Sequence, residues 1–156
     1  MASLIEMQKM AVQKQAFGKL MSDYSEPAGE NESGESPEQE IVNELLEAAA
    51  TAKRYHWATM GLGEHEALEF FYEGLEDLAD DFIECHQGFT GMRLKGPNEM
   101  EIPEYTLDGA VGFLMSFKEC LNTKFRMAVT ERSLNNIIDD MVNLIGKTLY
   151  KLSLVK

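Results

Sequence analysis

Apolar residues recur along the chain at alternating spacings of three and four, the period of one helix face, in four successive stretches. The first seam is Ile41, Leu45, Ala48, Ala52 and Tyr55. Ser36 suits its N-cap, Pro37 its first helical position and Gln39 a capping box, and the helix is expected to end near Met60 with Gly61 as C-cap. A second helix is expected from about Gly63 to Gln87, with Gly88 beyond its end and a seam of Leu68, Phe71, Leu75, Leu78 and Phe82. Gly91, Gly96, Pro97 and Pro103 then break any regular pattern until Thr106 offers a cap. The third helix, Leu107 to Val129, buries Val111 or Leu114, then Phe117, Leu121 and Phe125. Thr130 or Ser133 caps the fourth, whose seam is Leu134, Ile137 or Ile138, Met141, Ile145, Leu149 and Leu152.

The connections run short, long, short, so the fold class is all-α and the topology that of a ferritin-like four-helix bundle with one long crossover. An N-terminal helical extension precedes it. Residues 1–21 space Leu4, Met7, Met10 or Ala11, Phe17 and Met21 along one face, with Lys9, Lys14 and Lys19 around it. Residues 22–38 mix acids with Pro, Gly and Ser and hold nothing that packs a core, so they read as a flexible acidic linker. The bundle itself is assigned to residues 39–156.

A net charge of -13 sets the body against a phosphate backbone and in favour of cations. No apolar run spans a bilayer and no signal-peptide order opens the sequence, so a cytoplasmic protein without membrane contact is expected. Cys85 and Cys120 lack CxxC or zinc-type spacing and read as reduced thiols.

Cation ligands are sought among His56, His65, Glu69, Asp80 and Glu84. Glu-x-x-His pairs, which serve two metals inside one ferritin-like chain, are absent. His65, Glu69, Asp80 and Glu84 share one face of the second helix, yet His65 and Asp80 are separated by roughly 22 Å of helical rise. Two copies of that helix, antiparallel across a two-fold axis, would bring each His65/Glu69 end to the other's Asp80/Glu84 end. The midpoint falls at Gly74 and Leu75, where a glycine is expected to let the two helices approach. His56, at the end of the first helix, is the natural further ligand. Imidazoles with carboxylates suit ferrous iron, with manganese and zinc as competitors. The plain alternative is a solvated acidic face and histidines that merely pack.

The stretch "YHWATMGLGEHEALEFFYEGLEDLADDFIE" resembles the mini-ferritins known as DNA-binding proteins from starved cells (Dps). His56-Trp57, Gly61, His65 and Asp80-x-x-x-Glu84 fall into the family's register, with a shorter turn between the histidines. The resemblance implies a hollow dodecamer built from dimers, with ferrous iron oxidised by hydrogen peroxide at dimer interfaces and stored inside as mineral. His56, His65 and Glu69 would come from one subunit and Asp80 and Glu84 from its mate, with Trp57 beside them as electron donor.

Two further readings stand beside iron oxidation and storage. One is a ferritin-like structural or interaction protein with degenerate iron chemistry, docking on a protein partner through residues 1–21. The other is DNA compaction, which the acidic body disfavours.

Overall fold

The computed structural model describes residues 36–97 and 99–155. The amphipathic segment 1–21 and all but the end of the acidic linker lie outside the described residues. Every regular element among those described is helical: α1 (Pro37–Ala58), α2 (Leu62–Thr90), α3 (Leu107–Cys120) and α4 (Arg132–Ser153). A π-helical turn, Leu121–Phe125, and a short final turn, Arg126–Ala128, prolong α3.

Each predicted seam faces the core. Ile41, Leu45, Ala52, Leu68, Phe71, Leu75, Leu114, Leu121, Phe125, Leu134, Ile138, Met141 and Ile145 are fully buried, whereas Leu78, Val111, Ile137 and Leu149 pack at its margin. α1 packs along α2, α2 along α4, α4 along α3, and α3 touches α1. Aromatic rings run through the middle. Phe71 meets Phe113 and Phe117 edge-on at 6.3 and 6.5 Å, Phe117 meets Phe125 at 6.4 Å, and Phe125 meets Phe82 at 6.2 Å. Such pairs add about 0.5–1.5 kcal/mol each beyond their buried area. They tie α2 to α3 across the core.

The helix ends differ from the sequence expectation in instructive ways. Ser36 does cap α1, its Oγ accepting from Gln39 N at 3.3 Å, and Pro37 is its first helical residue, as expected. Gln39 does not complete a capping box. Its side chain instead pairs with the Lys95 backbone, donating to the carbonyl and accepting from the amide, and so fastens the long crossover to the start of α1. α1 stops at Ala58 because Thr59 turns extended, and Gly61 opens α2 instead of closing α1. α2 passes through Gly88 to Gly91, whose positive φ of 71° suits glycine and whose N–H closes on Gln87 O at 2.9 Å. Neither Thr130 nor Ser133 caps α4. Glu131 stands at its N-cap, and the Asn135 amide bridges the Val129 and Glu131 carbonyls across the turn.

The π turn in α3 has its own support. Thr123 Oγ1 donates to Glu119 O at 2.8 Å and Asn122 Nδ2 to Lys118 O at 3.0 Å, satisfying carbonyls where the regular ladder is interrupted. Around it lies a cross-helix group that no periodicity announced. Cys120 Sγ is 2.6 Å from Glu44 Oε2, and Lys124 bonds both Glu44 and Glu40 of α1. Burial works against the Lys124 ammonium, but the two carboxylates outweigh it and raise its pKa. Burial first, then the Glu44 carboxylate, pushes the Cys120 thiol well above its ordinary range.

Gly74 faces α4 of its own chain. Nine residues at about 100° each place it half a turn around α2 from His65. A Cβ there would lie 3.0 Å from Leu144 Cδ1 of α4, so the close approach is between helices of one chain. Leu75 is fully buried in the same chain's core. Gly74→Leu is expected to destabilise the single chain by about 2 kcal/mol through overpacking, read from the urea midpoint. An unchanged midpoint would show that Leu144 yields freely.

Cys120 gives an alkaline signature. The unfolded chain releases this proton as pH climbs past the ordinary thiol value of 9.0, while the folded chain holds it. Stability present below that pH is therefore lost above it, by about 1.4 kcal/mol per pH unit for one such group. Urea titrations from pH 8 to 10.5 should show a steeper decline for the native chain than for Cys120→Ala.

Candidate metal centre

Residues 59–61 are all that separates α1 from α2. So short a connection leaves the last turn of α1 beside the first turn of α2 and brings His56 and His65 together. Their rings stack with centroids 3.6 Å apart and planes 29° from parallel. His56 Nδ1 is 3.0 Å from His65 O, and His65 Nδ1 is 3.1 Å from His56 O. A carbonyl only accepts, so each Nδ1 is assigned the proton and each Nε2 of the neutral ring keeps an in-plane lone pair. Thr59 completes the knot by donating its hydroxyl to His56 O at 2.9 Å. The carbonyl at the end of α1 thus receives the partners a helix terminus lacks.

His56 is buried and His65 half-buried. Tyr72 meets the His56 ring edge-on at 5.3 Å, with Lys53 Nζ 4.9 Å from the Tyr72 centroid and 3.0 Å from Glu76. Glu69 lies one turn beyond His65 on the same side of α2. The structure thus brings the His56 and His65 rings together, with Glu69 one turn further along α2. Asp80 and Glu84 stand exposed more than three turns further along, and no three His, Cys, Asp or Glu of the described residues converge as a metal group within the chain. Trp57 points outward, 71% exposed.

Three participants escaped the sequence reading. Thr59 had a detectable signal, a hydroxyl residue just past a helix end. Tyr72 and the Tyr105 hydroxyl that donates to Glu64 had none, since both contacts depend on packing between elements, α1 on α2 and the crossover on α2. His86, at the far end of α2, is buried against Phe82, and its Nδ1 is the one fully buried side-chain nitrogen or oxygen among the described residues without a hydrogen-bond partner.

Residues 56–152, more than half of the chain, match DUF5856, a family of unknown function. The chain belongs to DUF5856. The DUF5856 match opens at His56, so both imidazoles, Glu69, Asp80 and Glu84 fall inside it and most of α1 falls outside. Neither a curated protein nor a solved structure matches the chain.

Because each ring replaces a backbone partner at a helix end, His56→Ala and His65→Ala should each destabilise the metal-free chain by about 1–2 kcal/mol. Thermal unfolding in chelator measures this, and a loss below a few tenths would mean the reciprocal bonds hold nothing together.

Proposed function

We propose that this chain is a mini-ferritin-like protein that oxidises ferrous iron, with hydrogen peroxide as oxidant, and sequesters the product in an assembly of copies. In this reading the four helices and the crossover after α2 form a ferritin-like bundle. The observation that carries it is the histidine pair. Metal-binding imidazoles characteristically donate one ring N–H to a carbonyl or carboxylate, which fixes the tautomer and presents the other nitrogen, and both His56 and His65 do so. Glu69 adds an oxygen donor one turn away.

Two imidazoles and one carboxylate form half a site. Asp80 and Glu84 of a second, antiparallel copy supply the missing oxygens, since their own chain holds them roughly 22 and 28 Å from His65. Mixed nitrogen and carboxylate ligation suits ferrous iron and leaves positions for an oxidant. Two ferrous ions give two electrons to one peroxide, whose O–O bond breaks and with two protons yields two waters, leaving two ferric ions. Where only one ferrous ion is bound, Trp57, next in sequence to His56, would supply the second electron that peroxide needs. The acidic outer row of α2 draws cations toward it.

A second reading has its own support. The same Nδ1 bonds tie off the α1–α2 turn, which is sufficient reason for both histidines in a structural or interaction protein that docks through residues 1–21. Anaerobic ferrous loading followed by peroxide separates the two. With iron chemistry, the native protein should elute well above 17.6 kDa and oxidise iron rapidly, and His65→Ala or Asp80→Ala should slow oxidation about 10–100-fold. Rates unchanged by both substitutions would leave the clasp as the histidines' whole role.

A further inference from the structure

The α1–α2 turn carries an open apolar surface. Trp57 is 71% exposed, Met60 99% and Leu62 72%. The end of α4 borders it: Leu154 is 61% exposed, and a Cβ on Gly63 would lie 3.3 Å from Val155 Cγ2. Beyond Leu62, the outward side of α2 continues with Glu66, Glu69 and Glu73. An apolar centre of this kind with a charged border marks a docking surface.

The chain itself contains a stretch of complementary design. Residues 1–21 carry Leu4, Met7, Phe17 and Met21 at helical spacing, and their three lysines, Lys9, Lys14 and Lys19, outnumber the single acid Glu6 in a chain of net charge -13. Apolar seam would meet apolar patch, and basic flank acidic border. The geometry permits this within one molecule. α1 rises about 33 Å from Ser36 to the turn, whereas residues 22–35 extend to at most about 46 Å. A tether of this length holds the segment at an effective concentration near millimolar, so modest contacts suffice.

We propose that residues 1–21 of the same chain seat their apolar face on Trp57, Met60 and Leu62, with their lysines against Glu66, Glu69 and Glu73. This goes beyond the iron reading and does not depend on it, because apolar area and charge alone make the fit. The segment then lies along the His65–Glu69 edge.

Trp57 is the chain's single tryptophan, so its fluorescence reports the seat directly. Acrylamide quenching is compared for the full native chain, for Phe17→Asp, and for Lys9→Glu, Lys14→Glu and Lys19→Glu combined, with circular dichroism confirming that each remains helical. Quenching should rise about twofold in both variants, the change from a covered to an open indole. In the native chain it should be independent of protein concentration and should increase with salt. Equal quenching in all three proteins overturns the proposal. Shielding that disappears on dilution overturns it too, by assigning the cover to a second copy. Ferrous oxidation, followed on the same samples, reports on the iron reading separately.

Discussion

A helix ends with carbonyls that have no partner within it, and a very short turn leaves little chain with which to supply any. Between α1 and α2 that shortage is met by side chains: Thr59 and His65 both donate to the carbonyl of His56, and His56 donates to that of His65. The hairpin is thereby closed by one residue from each helix and one from the turn between them. Its antiparallel geometry in turn sets which side of α2 meets water, because α2 can face α1 on one side and α4 on the other only with its acids turned outward. Any chemistry at this end of the molecule uses nitrogen atoms already oriented by the backbone.

The middle of the fold is organised by rings. The phenylalanines of α2 and α3 meet across the core, and Leu121 and Phe125 remain fully buried through the π turn. On that turn Lys124 and Cys120 engage Glu44, so α1 is attached to α3 by a partly buried polar group and to α2 mainly by apolar packing. Removing one member of such a group leaves the others short of partners in a poorly solvated seam.

The apolar seams were legible because burial imposes a period, and a period survives in sequence however the helices are arranged. Helix ends were less so. Gly61 and Gly88 looked like terminators, but a glycine tolerates helix, cap and turn alike, and the neighbours Thr59 and Gly91 took those roles. The π turn carries no periodic signal of its own, and the Glu44, Cys120 and Lys124 group was invisible because it depends on residues from two helices whose facing is a tertiary fact. Gly74 shows the same limit: a small residue announces a close approach without naming the partner, which proved to be Leu144. Of the candidate ligands, proximity of His56 and His65 could be read from the short turn. The placement of Asp80 and Glu84 relative to another copy could not be read from one chain.

The Gln39 side chain meets Lys95 as one peptide group meets another, offering a donor to the carbonyl and an acceptor to the amide. Only a carboxamide has both functions on one terminal carbon. Deamidation would exchange the nitrogen for a second oxygen and set a negative charge against the Lys95 carbonyl, without altering the size of the side chain. One slow hydrolysis at a single position would thus release the crossover from the start of α1 while Tyr105 still held its far end to Glu64.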